Sequence, residues 1–290
     1  MNPNTRYDWI DFLKALAMIA VVLNHTYNII FTDRVLLLHT IFSVTMFVFV
    51  AGITAAISID RQKEVKPKFI MRRISGILIP YTLAALMYNL YVYKGVFSLS
   101  GFFVELITFS YPAMYYIAFF IQLVLISTLL FKIIKAQHKS PLIILVIGLI
   151  YFLSVYLTEN TIVSNIALAG GNILGGTYLF VYALGILFYM WMPKPSNMKT
   201  NLIFLVLCMA GLIFFENRGY IFNSWSNPPT ELTMLYTLLI FGIVFSVFNV
   251  SYSRIRYIKK GLTLFNYIGK HSLYIYLYHF LFIRIATEHN

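Results

Sequence analysis

The chain has 290 residues, of which 60% are apolar, 18% aromatic and only 11% charged. A water-soluble domain of this length does not contain so large an apolar fraction, because polar side chains have to cover its surface. The composition excludes a soluble globular protein and indicates an integral membrane protein.

Apolar segments of about 20 residues, the length that crosses the hydrocarbon core as a helix, recur along the chain. We predict nine such segments, at residues 9–30, 36–58, 69–92, 114–134, 142–157, 173–191, 202–215, 232–250 and 264–285. Residues 102–111 are a candidate re-entrant piece. The expected fold is an all-α bundle of about nine to ten transmembrane helices, forming one domain over residues 1–290 with no soluble domain.

The first apolar segment is expected to stay in the protein rather than to be cleaved. It is too long for a signal peptide, it follows Arg6 and Asp8, and it lacks a small-residue cleavage pattern. The single cysteine, Cys208, excludes an internal disulfide and a cysteine-based metal cage. No other metal-ligand spacing occurs, so we expect no metal.

The basic residues predict how the chain is oriented, because lysine and arginine beside membrane spans are retained on the cytoplasmic side. With the N-terminus inside, all but four of the 22 basic residues fall on the inner side. The four are Arg34, Lys94, Arg218 and Arg284. This pattern predicts a multi-pass protein of the plasma or inner membrane. The net charge of +12 is explained by the anionic inner leaflet, so no nucleic-acid partner is expected.

The first predicted helix carries polar residues on one face. They follow one another at steps of three or four residues: Asp11, Lys14, Met18, Val21, His25 and Asn28. Lys14 and His25 are eleven residues apart, which places them roughly 16 Å apart along a helix axis. An ionisable group at such depth costs about 2.5 to 3.5 kcal/mol on insertion scales, so it usually faces a protein interior or a wet cavity.

Two explanations of this polar stripe remain open from the residues alone. In a purely structural one, Asp11 and Lys14 form an interfacial ion pair and His25 bonds a neighbouring helix. In a functional one, a partly buried imidazole acts as a general base or an acyl carrier. His279, in the last predicted segment, and His271, at the cytoplasmic end of that segment, provide further imidazoles.

Four landmarks resemble the acyltransferase type three family of bacterial membrane proteins. The family's first helix has the form Asp-x-Leu-(Arg/Lys)-x10-His, matched here by Asp11, Leu13, Lys14 and His25. A basic, proline-terminated start of the third span is similar to "FIMRRISGILIPY", and an aromatic start of the fourth span is similar to Tyr115, Tyr116 and Ile117. The last landmark, Gly-x-x-Ser-x-x-Ile-Tyr-Leu-x-His, is matched by Gly269, Ser272, Ile275, Tyr276, Leu277 and His279.

The chain departs from the family pattern at three places. Gly76 stands where the family has the second arginine of its Arg-x-x-Arg pattern, and Tyr115 stands where it has tryptophan. The chain also ends soon after His279, where many members have another transmembrane helix.

The resemblance implies an O-acyltransferase that moves an acetyl or other short acyl group from cytoplasmic acyl-CoA to an envelope glycan or a lipid-linked sugar. Acyl-CoA is then a substrate, with no permanently bound cofactor. The expected roles are His25 as general base or acyl carrier, Lys14 holding the donor or the developing charge, and Asp11 lining the same stripe. Arg72 and Arg73, with Lys14, are expected to bind the donor, because guanidinium groups suit phosphate oxygens. The expected cavity residues are Tyr115, Tyr116, Tyr276 and His279.

Two other functions remain open. In a transporter or flippase for a polysaccharide or lipid-linked sugar, the stripe would be a proton relay or a gate. Such a protein would have paired Gly/Pro-broken helices, and "LAGGNILGG" at residues 168–176 is one candidate break. In a non-catalytic role, the chain would assist other envelope enzymes. Glycan-assembly proteins are expected partners in either case.

Overall fold

A computed structural model describes residues 7–92, 98–109, 111, 114–159, 173–192, 198–223, 227–251 and 258–288. Within these residues the regular structure is helical and contains no strand, which confirms the all-α prediction. The α-helices are α1 (Asp8–His25), α2 (Arg34–Leu38), α3 (Phe42–Asp60), α4 (Pro67–Val92), α5 (Leu99–Thr108), α6 (Tyr115–Gln137), α7 (Leu142–Glu159), α8 (Tyr178–Trp191), α9 (Met198–Asn217), α10 (Glu231–Ser251), α11 (Ile258–Lys270) and α12 (Ser272–Glu288). Two 3₁₀ turns occupy Ile173–Gly175 and Tyr220–Asn223.

Six helical segments among the described residues are long and apolar enough to cross a membrane. They are Arg34–Asp60, Pro67–Tyr91, Tyr115–Gln137, Leu142–Glu159, Met198–Asn217 and Glu231–Asn249. Helix α8 is apolar but has only 14 residues, and α1 has 18 residues that include three charged side chains. These segments support a multi-pass membrane protein. The count of nine to ten spans and the orientation stay predictions.

The first helix ends earlier than its hydropathy predicts, at His25 rather than at residue 30. Asn28 has a left-handed backbone with φ of 64°, and its N–H donates to the Phe31 carbonyl at 2.8 Å. Asparagine tolerates this conformation better than most residues, so it closes a short loop there. The prediction that Asn28 extends the polar stripe is therefore wrong, because Asn28 is exposed and lies outside α1.

The predicted segments at 173–191 and 264–285 are each interrupted. Leu174, Gly175 and Gly176 have positive φ, so α8 begins only at Tyr178. The preceding glycine-rich residues 168–172 lie outside the described part of the chain. The last segment divides at His271 into α11 and α12, so the prediction of one continuous helix there is wrong. Hydropathy averages over both breaks: Leu174, Gly175 and Gly176 are small or apolar, and Lys270 and His271 are outweighed by the apolar residues around them.

The chain divides into two compact units. The first contains Met1–Ala51 and Phe188–Ser272, and the second contains Gly52–Leu187 and Leu273–Asn290. In the first unit, Trp9 of α1 packs edge-on against Phe241 and Phe245 of α10. Helices α9 and α10 approach closely where Gly242 meets the Cys208 sulfur, so the cysteine is a buried packing residue.

The core of the second unit is aromatic. The ring of Phe119 stacks on Tyr178, with ring centroids 4.7 Å apart. Gly52 of α3 lies so close to the carbonyl oxygen of Tyr182 that a Cβ would collide with it. The glycine thus lets α3 and α8 cross backbone to backbone. At the ends of α3 and α6, Lys135 forms an exposed ion pair with Asp60 at 2.6 Å.

Candidate active site

The polar stripe of α1 lies on a face that is buried inside the first unit. Asp11 is only 2% exposed, and Met18 and Val21, which share its face, are 1% and 3% exposed. Lys14 and His25 are each partly buried. Three ionisable residues therefore project from one helix into or beside protein rather than into bulk water, as the spacing predicts.

A close approach of α11 to α1 fixes this face. Gly269 of α11 lies against the backbone of Asp11, and a Cβ added to Gly269 would overlap the Asp11 carbonyl oxygen. Only glycine permits helices to meet at this distance. Beside this contact the amide of Asn266 donates to the Asp8 carboxylate at 3.3 Å. Two family landmarks from opposite ends of the chain therefore pack directly against each other.

The end of α1 that carries His25 is tied to the α2–α3 corner of the same unit. The Asn24 side-chain amide donates to the Thr40 hydroxyl at 3.0 Å, and Thr40 donates in turn to the Leu37 carbonyl at 2.6 Å. The Thr26 hydroxyl donates to the Leu23 carbonyl at 3.0 Å and so caps the last turn. These bonds limit the movement of the helix end, and therefore of His25.

The two predicted donor-binding arginines differ in environment within the second unit. Arg72 is exposed, whereas Arg73 is partly buried and lies over the Phe69 ring, 5.9 Å from its centroid. The Arg73 guanidinium also lies beside the Tyr182 hydroxyl, next to Ser127. Within the described part of the chain, neither Arg73 Nη1 nor Tyr182 Oη makes a hydrogen bond of standard geometry. Arg73 therefore has hydrogen-bonding capacity left for an anion.

The four predicted cavity residues come together in the second unit. Tyr116 meets Tyr276 with ring centroids 5.5 Å apart, and Tyr276 lies 5.8 Å from His279. Tyr115 is connected to the group by a hydrogen bond between its hydroxyl and that of Tyr178. The ring Nδ1 of His279 is hydrogen-bonded to the Tyr276 carbonyl oxygen at 2.6 Å. The third and fourth landmarks thus share one aromatic cluster, and the role of these residues as a cavity lining stays a prediction.

The sequence reasoning missed a second polar group in that unit, which we name the Asn89 cluster. It consists of Tyr88, Asn89, Glu105, Tyr111 and Arg284. The available signal was an asparagine and a glutamate within otherwise apolar segments, since such residues in membrane proteins are usually functional or paired.

No metal site is evident among the residues that the structure describes, because no three His, Cys, Asp or Glu side chains there are grouped as ligands. The site residues instead form two groups. Asp11, Lys14 and His25 belong to the first unit. The second unit holds Arg72, Arg73 and the aromatic cluster.

A sequence model of the family described as an acyltransferase domain matches residues 7–289. No curated protein and no solved structure gives a significant match. The match supports a membrane-embedded acyl-transferring enzyme and lends nothing to the transporter alternative. Since it covers nearly the whole chain, the protein belongs to the acyltransferase type three family.

Proposed function

We propose that the chain is an O-acyltransferase of the plasma or inner membrane. It transfers an acetyl or other short acyl group from cytoplasmic acyl-CoA to a hydroxyl of an envelope glycan or lipid-linked sugar. The proposed topology has nine to ten spans with the N-terminus inside, because the basic residues favour that orientation. Lys14 then lies toward the cytoplasm and His25 in the outer half of the membrane.

The observation that carries the proposal is the buried polar face of α1 in a chain of this family. Gly269 packs against this helix at the Asp11 backbone. Burying Asp11 and partly burying Lys14 and His25 costs free energy that an inert helix would avoid by using apolar residues. Their spacing on one rigid helix also holds them in a fixed order. Both features favour a catalytic face over ordinary packing.

His25 is the proposed general base. Its imidazole accepts the proton of the acceptor hydroxyl while that oxygen attacks the thioester carbonyl carbon. The tetrahedral intermediate collapses, the carbon–sulfur bond breaks, and the imidazolium returns the proton to the departing CoA sulfur. The positive charge of Lys14 holds the donor or stabilises the developing oxyanion. Asp11 lines the same face of α1. In the alternative route His25 itself carries the acyl group between the two substrates.

Arg72 and Arg73 are proposed separately as ligands of the donor phosphates. The Arg73 Nη1 that makes no standard hydrogen bond supports this role, because a buried guanidinium donor gains from an anionic acceptor. Tyr115, Tyr116, Tyr276 and His279 are proposed to line the substrate cavity. CoA is a substrate here and not a resident cofactor, and proteins of glycan assembly are the proposed partners.

The test is the acyl content of surface carbohydrate in cells that express the wild type, His25→Ala or Lys14→Ala at equal membrane levels. We expect both variants to lose acylation while remaining inserted. Lys14→Arg should keep most of it, because the family pattern accepts either cation. His138→Ala is the matched control, since His138 is half-buried like His25 but lies at the C-terminal end of α6, outside the polar stripe.

Acylation that does not depend on the protein would overturn the proposal, and so would full activity of His25→Ala. The two routes differ in a trapped species. Incubation with labelled acyl-CoA and no acceptor leaves label on His25 only if the imidazole is an acyl carrier.

A further inference from the structure

The Asn89 cluster is a polar site in the second unit that the acyl-donor residues do not explain. Asn89 is 2% exposed in the middle of apolar sequence on α4. Its amide donates to the Glu105 carboxylate at 3.4 Å and to the Tyr111 hydroxyl at 3.3 Å. Both distances exceed the usual length of such bonds. The amide is therefore held loosely by its protein partners.

The carbonyl oxygen of the same side chain is buried and has no hydrogen-bond partner among the residues that the structure describes. A buried amide oxygen without a partner costs free energy, which is unusual for a residue that merely fills space. A ligand that brings an O–H or N–H group to this oxygen would recover that free energy. Asn89 thus has the property expected of a ligand-binding residue.

The surroundings of Asn89 combine tyrosine rings with hydrogen-bonding groups. Tyr88 and Tyr111 meet nearly at right angles, with centroids 5.9 Å apart. Arg284 of α12 donates to the Tyr88 hydroxyl at 3.4 Å and pairs with Glu288 at 2.9 Å. Glu288 also accepts a hydrogen bond from Tyr91 at 2.7 Å. Polar groups therefore lead from the exposed end of α12 toward the buried amide.

This chemistry suits a neutral, hydroxyl-rich molecule better than acyl-CoA. A sugar carries several hydroxyls, so one of them can donate to the Asn89 carbonyl while another donates to the Glu105 carboxylate. Tyrosine rings offer flat apolar faces with a polar edge, which suit a sugar ring. The phosphates of CoA would instead be repelled by Glu105, while the positive charge of Arg284 is already paired.

The position along α4 agrees with this assignment. Asn89 lies sixteen residues beyond Arg73, a distance of about 24 Å along the helix axis. In the proposed orientation Arg73 is near the cytoplasm, so Asn89 lies toward the outer surface where an envelope carbohydrate would arrive.

We propose that the Asn89 cluster binds the carbohydrate acceptor, with the Asn89 carbonyl and the Glu105 carboxylate accepting hydrogen bonds from sugar hydroxyls. The inference rests on the proposed acyltransferase function and adds the residues that select the acceptor.

The experiment uses membranes that contain the full chain, labelled acetyl-CoA and envelope carbohydrate from the native cells, stripped of its acyl esters by mild alkali. Lipid-linked oligosaccharide and delipidated polysaccharide are added separately, in increasing amounts. Transfer of label to carbohydrate and acceptor-independent hydrolysis of acetyl-CoA are both measured. The variants are Asn89→Leu, Asn89→Asp and Glu105→Gln. The control is Thr108→Val, whose hydroxyl bonds the Val104 carbonyl of its own helix.

We expect Asn89→Leu to raise the carbohydrate concentration at half-maximal transfer about tenfold, as for a lost buried hydrogen bond. Hydrolysis should change less than about twofold. Asn89→Asp and Glu105→Gln each keep an acceptor oxygen and should lie between Asn89→Leu and the wild type. The preparation that shows the shift, lipid-linked oligosaccharide or delipidated polysaccharide, identifies the form of carbohydrate that serves as acceptor.

Unchanged carbohydrate dependence in all three variants would overturn the inference, and so would an equal loss of hydrolysis and transfer, since that pattern marks a structural network. In both cases the wild type still transfers label, so the proposed function stands. A wild type that never transfers label would refute the function itself, and the inference with it.

Discussion

Helices α1 and α4 both begin beside charged residues, yet they carry their polar residues in different ways. On α1, Asp11, Lys14 and His25 share one face of one helix. On α4, Arg73 and Asn89 lie far apart, and each depends on other elements: Tyr182 of α8 for the first, Glu105 of α5 and Tyr111 for the second. A site within one helix leaves a periodic signal in the sequence, whereas a site assembled from several helices does not.

The largest expected effect is on the transfer rate, and it distinguishes a catalytic role for α1 from an acceptor-binding role for α4. His25→Ala should lower transfer by about 10²- to 10⁴-fold, the range for loss of a general acid–base group, at every carbohydrate concentration. Asn89→Leu should instead recover toward wild-type rates when carbohydrate is saturating. Initial rates over a carbohydrate titration measure both. A maximal rate reduced equally in the two variants would mean that α4 is not an acceptor-binding element.

The next effect compares the packing of the two helices. Gly269→Ala inserts a Cβ into the Asp11 backbone on α1, whereas a Cβ at Gly76 on α4 meets nothing within 4 Å. We expect Gly269→Ala to cost about 1 to 3 kcal/mol or more of stability. Gly76→Ala should be neutral or slightly stabilising, because alanine is the better helix former. Thermal unfolding in detergent, followed by size-exclusion fluorescence, measures both. Equal melting temperatures would contradict the close contact of α1 and α11.

A smaller effect concerns single hydrogen bonds that position each helix. Thr40→Val removes the acceptor of the Asn24 amide at the end of α1. Tyr81→Phe removes the bond of 3.2 Å from α4 to the Leu106 carbonyl of α5. Each should cost about 0.5 to 1.5 kcal/mol. In the transfer assay Thr40→Val should lower the maximal rate, because it loosens the helix end that carries His25, and Tyr81→Phe should not. If Tyr81→Phe lowered the maximal rate and Thr40→Val did not, the rate would depend on the position of α4 rather than on the end of α1.

The smallest expected change in stability follows from Gly76→Arg, which restores the second arginine of the family pattern. The position is exposed and open, so stability should change by no more than about 0.5 kcal/mol. The acetyl-CoA concentration that gives half-maximal transfer should fall severalfold if this end of α4 binds the donor phosphates. A rise in the acetyl-CoA requirement would contradict that role for Arg72 and Arg73.

Sequence reasoning succeeded where the signal was local. The predicted segment at 114–134 corresponds closely to α6, and the predicted stripe on α1 lies on a buried face up to His25. It failed where a helix is interrupted inside a segment that is apolar on average. The loop at Asn28, the turn at Leu174 and the junction at His271 were all predicted as helix.

The turn at Leu174 depends on distant side chains. The Gln122 carbonyl oxygen accepts the Leu174 N–H at 2.9 Å, and the Thr158 hydroxyl accepts the Thr177 N–H at 3.0 Å. Backbone groups released from a helix inside a membrane need such partners. Gln122 and Thr158 are far from Leu174 in sequence, so no window of local sequence contains the information.

The sequence by itself determined the membrane class, the helical fold, the family and the order of polar residues along α1, because composition and helical period are properties of neighbouring residues. Tertiary structure decided that Gly269 meets the Asp11 backbone and that Asn89 meets Glu105 and Tyr111. Contacts between helices depend on which faces pack and at what distance, and these are fixed only when the whole chain folds.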